Sequence, residues 1–238
     1  MATSRFRSGI VIVLVILALT LLAAIMAYRS GVVSFPDGVN VLADGSFEDG
    51  TEPGGVFKPN ADGVMSFPAA DGATIPGWTV LINTSLGQDV AWVQNANRFV
   101  PNAATDGTHF LDLTGLHDRP LPDGAFGAIS QTFATGVNKP YHLSFDIMVA
   151  NTSFPGPITV DALISRAPNE AAYARTTCGP FNPPGPGNQK TTCGLDFRAA
   201  TASTTLTIAG TAAAHQYIGL DKVSVECVAP LGRPGFCS

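Results

Sequence analysis

The residues that could carry chemistry in this chain are few and scattered. Its four glutamates are Glu48, Glu52, Glu170 and Glu226, and its four histidines are His109, His117, His142 and His215. Glycoside hydrolysis needs an acid and a base flanking one bond, and no spacing among these carboxylates pairs one with another. The histidines show neither H-E-x-x-H nor any other ligand spacing, and on strands such histidines are solvated or satisfied within the core. A serine nucleophile would be announced by G-x-S-x-G, and the nearest approach is Asp44-Gly45-Ser46-Phe47-Glu48. Pro53-Gly54-Gly55 lacks the strand, loop and helix context that cradles phosphate. The expectation is therefore a non-enzyme with no catalytic residue and no nucleotide.

The cysteines are more informative. Cys178, Cys193, Cys227 and Cys237 are even in number and bunched in the last quarter of the chain, with no C-x-x-C to suggest zinc. Three pairings are open. Local pairing, Cys178 with Cys193 and Cys227 with Cys237, is favoured because it closes a Pro/Gly-rich loop and ties down the C-terminal tail. Each bridge would contribute ~3 kcal/mol by restricting the unfolded chain. Disulfides also place this part of the chain in an oxidising compartment.

The elements that must position these residues are strands. His142–Val149 alternates, with Leu143, Phe145, Ile147 and Val149 on one side and His142, Ser144, Asp146 and Met148 on the other. His109–Thr114 does the same, and shorter runs recur at 129–133, 158–164, 205–208 and 223–225. Asp-Gly and Pro-Gly turns separate them. No helical stripe of comparable length follows residue 28, so the reading is an all-β antiparallel sandwich or jelly roll.

Ahead of it, Ile10–Tyr28 is uncharged, and its 19 residues at ~1.5 Å each match a bilayer core. The expected layout is a cytoplasmic N-terminus over 1–9, a single transmembrane helix over 10–28, a tether over 29–39 and a sandwich over 40–238. A Pro/Gly-rich insertion is expected at about 168–193. Arg5 and Arg7 precede the span, which orients the sandwich to the periplasmic or extracellular side. Thr20, Ala23, Ala24 and Ala27 share one helix face where another helix could pack, and the span holds no His, Asp, Glu, Lys or Arg, so it offers no obvious ligand for haem. All 18 acidic residues lie from Asp37 onward in a chain of net charge −5, which argues against nucleic acid.

Seven strings in order complete the picture: Asn40-Val-Leu-Ala-Asp-Gly-Ser-Phe-Glu48, Ile75-Pro-Gly-Trp78, Val90-Ala-Trp92, Asp106-Gly-Thr-His-Phe-Leu-Asp-Leu-Thr-Gly115, Ile129-Ser-Gln-Thr-Phe133, Tyr141-His-Leu-Ser-Phe-Asp146 and Leu220-Asp-Lys-Val-Ser-Val225. Over roughly residues 40–226 this resembles the choice-of-anchor C and related secreted domains, which have the galactose-binding-like jelly-roll fold. The resemblance implies a structural calcium joining first and last strands, with Glu48 and Asp221 as ligands and Asp106 as a third. It departs at Lys222, where such domains often carry Asn or Asp. Trp78 and Trp92 read as core aromatics, with a sugar-stacking platform as the alternative. Two functions follow. The first is an accessory subunit whose helix packs among other membrane-protein subunits while the sandwich caps a larger complex, respiratory or photosynthetic for example. The alternative is a surface-anchored carbohydrate-binding module.

Overall fold

A computed structural model describes residues 37–52, 55–56, 63–67, 71–81, 90–97, 103–115, 125–150, 156–182, 188–212, 217–229 and 236–237. Residues 10–28, with Thr20, Ala23, Ala24 and Ala27, lie outside them. Among the described residues no helix is long and apolar enough to cross a membrane.

Two antiparallel sheets make the fold. The first has six strands in the order β11 (Gln189–Arg198), β8 (Pro140–Val149), β13 (Ile218–Cys227), β6 (His109–Asp112), β5 (Val90–Gln94) and β3 (Val64–Phe67). The second has five, ordered β10 (Ala174–Phe181), β9 (Ile158–Ser165), β12 (Ser203–Ala212), β7 (Ala125–Ala134) and β4 (Thr79–Leu81). A short ladder pairs β1 (Thr51–Glu52) with β2 (Gly55–Val56). This is the all-β, jelly-roll type of sandwich that the alternation predicts.

The period of two decides which face is inside. Along β8, Tyr141, Leu143, Phe145, Ile147 and Val149 are all at most 1% exposed, and they meet Ile158, Val160, Ala162, Leu206 and Ile208 from the second sheet. Each such side chain contributes roughly 1.5–3 kcal/mol by leaving water. Asn40, ahead of β1, closes the N-terminal segment onto the last strand: its Oδ1 accepts the Val225 N–H at 2.9 Å and its Nδ2 donates to the Val223 carbonyl at 3.1 Å.

The segment expected as an insertion holds strands on either side of 183–187, which lie outside the described residues. It supplies β10 and the start of β11, the edge strands of the two sheets, and Cys178 bonds Cys193 across from one edge to the other. Its Thr-Thr-Cys repeats, Thr176-Thr177-Cys178 and Thr191-Thr192-Cys193, suit a pleated surface, which the prolines between them obscure in sequence. Cys227 bonds Cys237, tying the tail to the end of β13.

Candidate functional site

The outer face of the six-stranded sheet falls into two halves. Over β3, β5 and β6 it is apolar and covered: Val64, Ala91, Val93 and Phe110, with Met148 from β8, are at most 3% exposed, and Ala104 and Tyr217 pack onto them. Over β11, β8 and β13 it is polar. Cross-strand register sets the residues of this half in rows, namely Asp196–His142–Glu226, then Gly194–Ser144–Ser224, then Thr192–Asp146–Asp221, then Lys190–Met148–Gly219. Arg198 and Pro140 begin the series, with the Val228 N–H donating to the Pro140 carbonyl at 3.0 Å. Alternate residues on a strand lie ~6.8 Å apart, so the three open rows, from Arg198–Pro140 to Gly194–Ser144–Ser224, extend over ~14 Å, and Asp146, Asp221 and Met148 of the two rows beyond are at most 3% exposed. The Gly194–Ser144–Ser224 row has the smallest side chains, and it forms a floor between rows that carry charge.

The charged groups of these rows engage one another. His142 Nδ1 lies 2.6 Å from Asp196 Oδ1, with both side chains well exposed. The Ser224 hydroxyl donates to Glu226 at 2.8 Å. Asp146 accepts the Thr192 hydroxyl at 2.5 Å and lies 3.4 Å from Lys190 Nζ. Burial pushes the Asp146 carboxyl up, but the hydroxyls of Thr192 and Thr105 and the Lys190 charge outweigh it and hold it below its ordinary value. Beside the Arg198 end lies an open cleft of about 500 Å³, lined by Pro140, Tyr141, Asp196, Phe197, Arg198, Val228 and Ala229. The rings of Tyr141 and Phe197 stack there at 5.6 Å.

One wall of the polar face is the loop over 103–108, and two of the residues singled out in sequence hold it. Asp221, fully buried, accepts the Thr105 N–H at 2.5 Å, the Asp106 N–H at 2.9 Å and the Thr105 hydroxyl at 3.2 Å on Oδ2, while Oδ1 takes the Lys222 N–H at 2.6 Å. Glu48 Oε1 accepts the N–H groups of Thr108 at 2.8 Å and His109 at 2.6 Å, and Oε2 meets the Thr108 hydroxyl at 2.9 Å and His109 Nδ1 at 3.0 Å. Burial raises the Asp221 carboxyl above its ordinary value against these donors. For Glu48 burial also acts upward, but the His109 imidazole, the His109 and Thr108 N–H groups and the Thr108 hydroxyl prevail and lower it.

This donor set does not fit a shared calcium ion. Calcium takes six to eight oxygens at ~2.3–2.6 Å, whereas both oxygens of Glu48 and both of Asp221 already face hydrogen donors. Asp106 brings an N–H to the arrangement. Among the described residues no three of His, Cys, Asp and Glu are grouped to hold a metal. Asp44 Oδ2 is a buried carboxylate oxygen without a partner, and burial raises that group too. The brace is one of charge-assisted hydrogen bonds. Lys222, the departure from the family pattern, sits at a φ of +51° next to it, a conformation that Asn and Asp adopt more readily than Lys.

Both tryptophans belong to the core. Trp78 is 2% exposed and its Nε1–H points at the carbonyls of Ala43 and Asp44, each at 3.1 Å. Trp92 is 1% exposed, donates to the Phe47 carbonyl at 2.7 Å and packs on the His109 ring at 4.7 Å. Neither forms a sugar platform. Sequence reading placed His142, Ser144 and Asp146 on one strand face but missed Thr105, Lys190, Thr192, Gly194, Asp196 and Ser224, because only strand pairing sets them alongside.

The molecule is thus an antiparallel sandwich with a polar sheet face that is open toward the Arg198 end. No known family profile matches the chain. It is 31% identical over 146 residues to the DUF642 protein L-galactono-1,4-lactone-responsive gene 1 of Arabidopsis thaliana, an alignment covering 60% of this chain and 34% of that protein. The chain therefore spans about a third of the relative's length. Among solved structures it is similar to the K1 cleaved adhesin domain of Lys-gingipain from Porphyromonas gingivalis, at TM-score 0.47 and 15% identity over 70% of this chain and 99% of that one. It is also similar to a family 16 carbohydrate-binding module, at TM-score 0.43 and 16% identity over 78% and 99%.

Proposed function

We propose that the chain is a non-catalytic saccharide-binding module, the alternative of the two sequence readings. One observation carries this: the small-residue floor of Gly194, Ser144 and Ser224 lies beside a row of exposed carboxylate and imidazole, Asp196–His142–Glu226, on an open face ~14 Å long. Vicinal hydroxyls of an extended glycan can give and take hydrogen bonds with such groups without displacing the sheet's own pairing. Most of the charged groups there are paired with neighbours, which suits binding better than proton transfer. The accessory-subunit reading rests on Thr20, Ala23, Ala24 and Ala27, and the described residues give it no support of their own.

The test is calorimetric titration of the full chain in mild detergent with a panel of soluble glucans, galactans, xylans and peptidoglycan fragments. At least one should bind saturably, and Ser144→Leu combined with Ser224→Leu, which raises the floor, should weaken it about tenfold or more, ~1.4 kcal/mol. Circular dichroism checks that the double variant is folded. No binding across the panel, or wild-type affinity in the double variant, would sink the proposal.

A further inference from the structure

Three large apolar side chains are exposed among the described residues: Val39 at 49%, Val137 at 52% and Val228 at 45%. Isolated exposed valines need no explanation, but these three gather at one end of the sandwich. Val39 lies between Gly38, whose N–H donates to the Cys227 carbonyl at 3.3 Å, and Asn40, which bridges Glu226. Val228 follows Cys227. Val137 sits in the turn before β8, which is joined to the end of β11 by the Asn138 N–H on the Ala199 carbonyl at 2.8 Å and by Arg198 Nη1 on the Asn138 carbonyl at 3.1 Å. Lys139 of the same turn donates to the Phe236 carbonyl and lies 4.3 Å over that ring, beside the Cys227–Cys237 bond.

This end therefore presents valines, a proline at Pro140 and two cations, Lys139 and Arg198, in a chain of net charge −5. Its acids are Asp37, which accepts the Cys237 N–H at 3.3 Å, and Asp196 and Glu226 one row up, of which Asp196 pairs with His142. It is also where the chain departs at Asp37 toward its apolar stretch. Only eight residues, Arg29–Pro36, separate Asp37 from Tyr28, and fully extended they reach at most ~29 Å. A sandwich so tethered keeps this end within that distance of any bilayer that holds the apolar stretch.

We propose that this end is a lipid-contacting surface. Val39, Val137 and Val228 enter the headgroup boundary, and Lys139 and Arg198 meet the phosphates of anionic lipid. Valines take little from water individually, so the contact works by combining apolar insertion with charge, as interfacial anchors do. It adjoins the glycan face at the Arg198–Pro140 row, and its valines lie outside the rows proposed to hold saccharide.

The experiment uses the full chain in vesicles of phosphatidylcholine and phosphatidylglycerol containing brominated acyl chains. Val39→Trp, Val137→Trp and Val228→Trp are made one at a time, with Asn182→Trp, exposed near the opposite end, as the control. Trp78 and Trp92 are buried and give a constant background. Quenching at the three valine positions should exceed that of Asn182→Trp roughly twofold or more, since interfacial side chains sit ~5–10 Å into the boundary. In a chain without added tryptophan, amide exchange over 136–139 should be slower in vesicles than in one carrying Val39→Ser, Val137→Ser and Val228→Ser together. Quenching no greater than at Asn182→Trp, or identical exchange in the two chains, overturns the proposal. Loss of glycan binding leaves both readouts unchanged.

Discussion

Asp221→Ala should detach the loop that walls the polar face. The carboxylate is fully buried and receives two loop N–H groups at 2.5 and 2.9 Å and the Thr105 hydroxyl at 3.2 Å. Removing it leaves those N–H groups with no acceptor, at ~1–3 kcal/mol each. Relief of the burial that raises the Asp221 carboxyl offsets part of this, so a net loss of ~3–4 kcal/mol is expected, or a Tm lower by roughly 6–15 °C for a domain of this size. Asp221→Asn keeps one acceptor and buries no charge, and should cost about half as much. Because Ala104 of that loop packs over Val64, Val93 and Phe110, Asp221→Ala should also bind a hydrophobic dye. Denaturant and thermal melts of wild type, Asn and Ala variants, with and without a chelator, provide the assay. Wild-type Tm should not move with the chelator. An Ala variant within ~1 kcal/mol of wild type refutes the reasoning. So does a wild-type Tm that falls with chelator and is restored by calcium, for then a cation holds the loop in place of hydrogen bonds.

Three further outcomes follow. Replacing Cys178 and Cys193 together by Ser should cost ~3 kcal/mol by the loop-closure relation, and non-reducing peptide mapping should recover Cys178–Cys193 and Cys227–Cys237 and no other pair. The Glu48 carboxyl is held below its ordinary value of 4.5, so the stabilisation of its ionised form is complete above about that pH and disappears as pH falls through the lower folded value. The Tm difference between wild type and Glu48→Gln should accordingly be widest near neutrality and close on acidification, and a difference constant with pH contradicts the assignment. Finally, acrylamide should quench neither Trp78 nor Trp92 appreciably, and no saccharide should change that, whereas strong quenching would place an indole at the surface.

Much of the fold was legible in single strands. Alternation along 142–149 already divides Leu143, Phe145 and Ile147 from His142, Ser144 and Asp146, because a strand has a period of two whatever it pairs with. The even, local cysteines anticipate both bridges, and the Leu220–Val225 string anticipates the last strand, which Asn40 meets through an isolated bridge while residues 41–50 form turns rather than a strand. What a string cannot carry is which strand lies beside which. Gly194, Ser144 and Ser224 are 30 to 80 residues apart and become one floor only through the pairing of β11 with β8 and of β8 with β13. The role of Asp221 and Glu48 was likewise undecided by type and position. Carboxylates suit a cation or a loop equally, and only the tertiary structure shows backbone N–H groups aimed at the oxygens of these two. The exposed valines carry the same lesson: 39, 137 and 228 are unremarkable in sequence, and only the folding of the segment before β1, the turn before β8 and the last strand to one end makes them a surface.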